Sequence, residues 1–336
     1  MLTVTLFLLM ASVTVTADEN VHTNGWRQFI FENDAFGVID PSDDGYSNGV
    51  GYAWGKAPIA SYDDIDLPNW LKTASDWTYI NQGDEGLYTL SYAVVQAMYT
   101  PSDLDTPELV EDDRPYAGVL LWHVTMRQFD QNVSRGLSLD LGVVGPASLA
   151  EKTQSTIHGV INARDPQGWE HQLENEAVFR IQSEYLHRFA NFDIADGLAT
   201  DASFYGQGSL GNFRSEAGFG LVFRLGTGLE QTYSTINPTG SHSANPYGQI
   251  SDRGFNWMVY VSAYGGYVLN DITLDGNTFK DSHSVELTHE QGEVSMGVAM
   301  RWGSWGLLVS TLRGSKKFEG QIPETDYAGV SISYHY

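Results

Sequence analysis

"SEAGFGLVFRLG", residues 215–226, decides how the whole chain is read. Ala217, Phe219, Leu221, Phe223 and Leu225 recur at every second position, and Glu216, Gly218, Gly220 and Arg224 stand between them. A period of two is that of a β-strand, whose side chains point alternately to opposite faces. The same alternation returns in "GLSLDLGVVG" (136–145), "AVFRIQSEYLHRF" (177–189) and "GEVSMGVAMRWG" (292–303). A soluble β-sandwich alternates too, with one wet face. A transmembrane barrel differs in having Gly and opposed charges on its inner face and aromatics at the ends of its outer face. "AGVSISYHY" (328–336) puts Val330, Ile332, Tyr334 and Tyr336 on one face and ends on an aromatic residue. That pattern favours the barrel.

Working outward, twelve strands are expected: near 26–34, 46–55, 87–100, 116–130, 136–145, 177–192, 195–208, 215–226, 256–269, 290–302, 305–317 and 325–336. Segments of about ten residues suit a tilted membrane crossing, and an even number closes an antiparallel barrel with both termini in the periplasm. The expected fold is therefore an all-β, closed antiparallel transmembrane barrel with a short helix in one extracellular loop. Residues 1–17 read as an export signal ending in Val15-Thr16-Ala17, and 18–336 as the barrel domain. No later apolar run approaches the roughly 18 residues a membrane helix needs.

Composition agrees and excludes several classes. The 336 residues carry a net charge of −24 and no cysteine. An acidic chain has no electrostatic reason to bind nucleic acid; cations, or anionic surfaces bridged by them, are the natural partners. The lack of cysteine removes disulfide and thiolate chemistry. Apolar residues at 42%, with 18 Tyr, 15 Phe and 9 Trp, speak against disorder.

With the first strand running outward, the loops 35–45, 101–115, 146–176, 209–214, 270–289 and 318–324 lie outside. Segments 56–86 and 227–255 fall on the periplasmic side and are long for such turns. Three unusual stretches then converge on the outer end. In "FENDAFGVIDPSDDGYSNGVGY" (31–52), Asn33 and Asp34 offer the hard oxygen ligands that Ca²⁺ prefers, although an Asn-Asp pair at a strand end also simply starts a turn. Asp43 and Asp44 read as solvated turn residues, and Tyr46, Ser47 and Asn48 return across the hairpin. In "EDDRPYAG" (111–118), Asp113 and Arg114 suggest a rim ion pair, Tyr116 an interfacial aromatic, and Gly118 a place of close approach. The stretch 145–176 contains the best helix candidate, "SLAEKTQSTIHGVI", with Ser148 as N-cap. Gln154 and His158 stand four apart on one face of it. His158 is suited to serve as a general base, or is an ordinary exposed or capping histidine. The absence of a Gly-x-Ser-x-Gly elbow disfavours a serine acyl-enzyme.

"NDAF…DDGYSNG", "DDRPYAG", "GVVGP", Gln154-x-x-x-His158 and "GW…Q.EN", in this order, resemble the LpxR-type outer-membrane lipid A deacylases, by motif from about residue 26 to 176. The resemblance implies a twelve-stranded barrel with its site between the wall and a helix of an outer loop. It implies Ca²⁺-dependent hydrolysis that removes the 3′-acyloxyacyl group of lipid A or lipopolysaccharide in the outer membrane, by a monomer. Asn33 and Asp34 match the family's Asn-Asp pair, Ser47 stands where relatives have Thr, and Gln154 and His158 match the loop-helix Gln and His. These five are the expected catalytic set, with Asp34, Asn33 and Ser47 holding the metal and Tyr116, Arg114 and Arg164 touching substrate. The chain departs from relatives where Arg164 and Pro166 replace a Glu and a Tyr, and where a lysine between strands three and four has no counterpart. An outer-membrane phospholipase and a passive porin are the alternatives.

Overall fold

Each strand pairs antiparallel with its neighbours in sequence, and the last pairs with the first, so the sheet has no edge. A computed structural model describes residues 25–33, 45–64, 67–81, 86–161, 165–232, 254–321 and 325–336. The strands are β1 (Gly25–Asn33), β2 (Gly45–Lys56), β3 (Leu87–Thr100), β4 (Ala117–Phe129), β5 (Val133–Val144) and β6 (Glu176–Ala195). They continue with β7 (Leu198–Leu210), β8 (Arg214–Thr227), β9 (Asn256–Asp271), β10 (Glu290–Trp302), β11 (Trp305–Gly314) and β12 (Thr325–His335). All twelve expected strands are present. Closure satisfies the backbone where lipid offers no hydrogen bonds, and Gly25 and Tyr336 finish the seam by exchanging N–H···O bonds of 3.2 and 3.0 Å. No described helix is long and apolar enough to cross a membrane.

The two faces separate as the alternation requires. Phe219, Leu221 and Phe223 point outward and are exposed, Phe219 by 76%, whereas Glu216 and Arg224 point inward and are buried. The interior is filled by paired charges. Arg127 meets Glu184, Asp140 joins His123 and Arg180, Asp201 joins Arg188 and Arg224, and Arg214 joins Glu216 and Asp271. At the periplasmic end, Gly197 (φ 73°) and Gly303 (φ 56°) make the tightest hairpins, because such turns need a residue of positive φ.

Both long periplasmic segments are used. Residues 228–232 plug the lumen: Arg188 Nη2 donates to the Leu229 and Thr232 carbonyls at 2.8 and 2.7 Å. Residues 57–64 and 67–81 turn the other way and carry helix α1 (Asn69–Trp77). Tyr62, Leu67, Leu71 and Ile80 pack on Tyr88, Leu90, Val124 and Met126. These wall residues share their face with exposed Val94, so the segment lies on the outside of the barrel. Outside also lies helix α2 (Ala150–Ile161), at the opposite end. The outer mouth is covered by helix α3 (Ile272–Asp275) and by Leu287 and Phe318, which pack with Val268 and Leu274.

Candidate active site under the loop helix

The site begins with one row of residues across four strands. Asn33 on β1 faces Asn48 on β2, Asn48 faces Met98 on β3, and Met98 faces Gly118 on β4. The row lies on the same face as lipid-exposed Phe29 and Val94, yet Asn33, Asn48 and Met98 are all buried. What covers Met98 comes from the loop after β5: Ala150 and Trp169 pack on it, with Tyr116 and Val50 alongside. Ser47 is the extra residue of a bulge in β2 between Tyr46 and Asn48, a distortion common beside functional sites.

Gly118 makes the covering possible. A Cβ there would stand 2.4 Å from both Ala150 Cβ and Ser148 Oγ, so only glycine lets the helix start on the bare backbone of β4. The expected close approach at Gly118 is thus found, and α2 is what approaches. Gln96 Nε2 holds the Ser148 carbonyl at 2.5 Å. The helix begins one residue later than expected with Ser148 as N-cap, because Pro146–Ser148 form a separate 3-10 turn and Leu149 takes a left-handed φ of 61° before Ala150. Ser148 Oγ still accepts the Ala150 N–H at 3.3 Å.

Ala150, Gln154 and His158 are spaced by four and form the buried face of α2. Gln154 is 0% and His158 4% exposed. The 3-10 turn packs on β5 and β4 and the helix on β4 and β3, so α2 travels across the strands toward β2 and β1. From Ala150 to His158 the helix advances about 12 Å, and β4 to β1 is about 14 Å of sheet. The polar face of α2 therefore heads toward the end of the row where Asn48 and Asn33 stand.

The amides are oriented. Trp169 Nε1, which can only donate, gives its hydrogen to Gln154 Oε1 at 2.9 Å. That fixes the Gln154 amide and leaves its buried Nε2 with no hydrogen-bond partner among the described residues. Asn33 Nδ2 likewise donates to Asn48 Oδ1 at 2.7 Å, and Asn48 Nδ2 has no partner among the described residues. Trp169 is itself held against the Tyr116 ring, centroids 5.1 Å apart. The sequence marked Trp169 only as part of "GW…Q.EN", with no role.

Two of the three residues expected to touch substrate are buried in surroundings the sequence did not suggest. Tyr116 is buried beneath Gly168 and Trp169 rather than interfacial, and that burial pushes its hydroxyl above the ordinary tyrosine value. Among the described residues the Arg114 guanidinium makes no ion pair with the Asp113 carboxylate. Asp113 accepts from the Ser102 backbone N–H and hydroxyl and from the Arg114 N–H. The guanidinium is buried in the barrel mouth, 4.6 Å from the Tyr99 ring centroid and 3.1 Å from Thr273 Oγ1, away from the seam under α2. Burial draws it below its usual range. Arg164, Asp34, Asp43 and Asp44 lie outside the described residues, as do the side chains of Tyr46 and Ser47.

The family model described as "Outer membrane protein LpxR" matches residues 2–336. The chain belongs to the LpxR family. Among solved structures, LpxR from Salmonella typhimurium superposes with a TM-score of 0.74 at 18% identity, covering 93% of this chain and 100% of that one. The β domain of the Bordetella autotransporter BrkA reaches a TM-score of 0.44 at 9% identity, covering 94% of this chain and 100% of that one. No curated protein sequence matches. Family and fold together make this LpxR relative a barrel of the outer membrane.

The donor set expected for a cation suits a hard ion. Asn33 turns its amide nitrogen to Asn48, which leaves its oxygen on the side away from that bond, and Asp34 follows it with a carboxylate. Amide, carboxylate and hydroxyl oxygens are the ligands of Ca²⁺, whereas Zn²⁺ sites use Cys and His. Among the described residues no group of three or more His, Cys, Asp or Glu could hold a metal.

Proposed function

We propose that this LpxR-family barrel is a lipid A 3′-O-deacylase that hydrolyses the ester of the 3′-linked acyloxyacyl chain, with Ca²⁺ as cofactor. The observation that carries the reading is the buried face of α2. It sets an imidazole one helical turn from an amide whose N–H is pre-oriented and unspent, in a buried seam on the lipid side of the wall. A lipid substrate reaches such a seam from within the outer leaflet, without entering the filled lumen.

In the reaction, His158 takes a proton from water as the water oxygen attacks the ester carbonyl carbon. Gln154 Nε2, held by Trp169, donates to the oxyanion that forms. The ester C–O bond then breaks, the imidazolium returns its proton to the sugar oxygen, and the acyloxyacyl chain leaves as a carboxylic acid that gives its remaining proton to solvent. Asp34, Asn33 and Ser47 are the residues that would hold Ca²⁺, which when bound polarises the carbonyl. Asn48 keeps Asn33 turned toward that duty. The ion-paired interior speaks against a passive porin, which needs an open channel.

The test is mass spectrometry of lipid A incubated with the purified barrel in detergent, with Ca²⁺ or with EDTA, and phosphatidylethanolamine in parallel. Loss of one acyloxyacyl unit only with Ca²⁺ is the expected result. Unchanged lipid A with fatty acid released from phosphatidylethanolamine would make the protein a phospholipase instead, and single-channel conductance would make it a porin.

A further inference from the structure

Residues 57–81 hold a second surface that the site does not use. They are bound to the wall by the paired N–H···O bonds of Ile59 and Tyr88, 2.9 and 2.8 Å, and by two phenols. Tyr62 Oη donates at the Thr89 and Arg127 carbonyls, 3.0 and 3.2 Å away, and Tyr79 Oη donates to the Gly136 carbonyl at 2.7 Å. Within α1 three faces are distinct. Leu71 and Ser75 are buried toward the wall. Lys72 and Asp76 lie on one flank, about 100° around the helix from the buried pair, and Lys72 pairs with Asp63 at 2.7 Å in the open. Trp70 and Trp77, seven residues apart and so within about 20° of each other around the helix, share the remaining face. They are 49% and 87% exposed.

We propose that this face of α1 inserts into the phospholipid of the periplasmic leaflet, with Trp70 and Trp77 at the level of the headgroups. The helix lies on the lipid side of the wall, continuous with outward rings stacked from Trp54 to Tyr92 to Trp122, centroids 5.7 and 6.1 Å apart. Lipid is what covers that wall elsewhere, and tryptophan favours the membrane interface because its ring is apolar and its N–H stays wet. The charge on the segment selects the kind of lipid contact. Asp63, Asp64 and Asp76 outnumber Lys72, so insertion draws on ring burial and needs no anionic headgroup.

The cysteine-free chain makes the test direct. Single variants Trp70→Cys, Trp77→Cys, Lys72→Cys and Asp76→Cys of the full barrel, spin-labelled and reconstituted in phosphatidylethanolamine–phosphatidylcholine vesicles, are compared for collisions with oxygen and with a water-soluble nickel chelate. A label at Phe219→Cys on the bare wall certifies insertion. The ratio of oxygen to nickel collisions should exceed one at 70, 77 and 219 and fall below one at 72 and 76. Nickel contact at 70 and 77 equal to that at 72 and 76 would overturn the proposal, because the face is then aqueous. Shielding from both probes would overturn it too, since protein covers the face. So would lipid contact that appears only once phosphatidylglycerol is added.

Discussion

At the periplasmic end of β3 and β4 the outer wall is covered by residues 57–81, and at the other end by α2 with its preceding turn. The lower cover is a cohesive one. It sets Tyr62, Leu71 and Ile80 on Tyr88, Leu90, Val124 and Met126, and its two phenols are spent on backbone carbonyls, although Thr78 Oγ1 is buried with no partner among the described residues. The upper cover is apolar only near Ala150, Met98 and Trp169. Beyond that it buries Gln154 and His158 on a helix that runs from β4 toward the strands of Asn48 and Asn33, and the side-chain nitrogens of Gln154 and Asn48 have no hydrogen-bond partners among the described residues. A buried polar group left unsatisfied costs about 1–3 kcal/mol. Two such groups in one seam would be a poor way to fasten a helix, and a good way to keep donors ready for a substrate. Under the proposed function, the same wall thus carries one segment built to hold and one built to react.

The sharpest way to break that contrast is His158→Gln. Turnover of lipid A should fall by roughly 10²–10⁴, the usual worth of a general base, while the barrel stays heat-modifiable on gels. Turnover within a few-fold of the parent would remove the reactive half of the comparison. Leu71→Ala probes the other half. It should lower stability by about 2 kcal/mol or more through the cavity it leaves under α1, seen as a lower unfolding midpoint, with turnover at moderate temperature unchanged. A loss of activity without a loss of stability would mean that the lower cover also serves the reaction.

Smaller effects refine the seam. Gly118→Val places methyl groups where Ala150 and Ser148 already stand. Overpacking of this kind costs about 1–3 kcal/mol, and α2 should be lifted from the wall. Activity should drop more than stability does, measured on the same preparation. Trp169→Phe keeps the ring against Tyr116 but removes the N–H that orients Gln154. A tenfold loss of turnover is expected, about 1.4 kcal/mol, with KM little changed, because the oriented amide is needed only as charge develops. Equal loss in KM and no change in kcat would make Gln154 a binding residue.

Much of this was legible in the chain. Strand positions came from the two-residue period, since a barrel wall between lipid and a charged lumen forces that period on every crossing. Gln154 and His158 were placed on one helix face by their spacing alone, and Gly118 by its lack of a side chain. The start of α2 was misread because Pro146–Ser148 close a turn of their own and Leu149 reverses the backbone first. Arg114 looked like a surface charge, and its actual partners, Tyr99 and Thr273, stand on opposite sides of it in sequence, Thr273 159 residues away. Residues 57–81 stood out only by the length of their segment, since their few apolar positions cover wall residues that would have been apolar facing lipid anyway.

By itself, then, the sequence determined which residues cross the membrane, which face of each strand meets lipid, and which loop carries the helix. Those are consequences of local period and of solvent on either side, and they need no knowledge of distant contacts. Only the tertiary structure decided that α2 and the 57–81 segment lie outside the barrel rather than in its mouth, that Trp169 orients Gln154, and that Arg114 turns away from the seam. These depend on which strands stand side by side after closure, where one bare glycine and one bulged strand determine what can approach the wall.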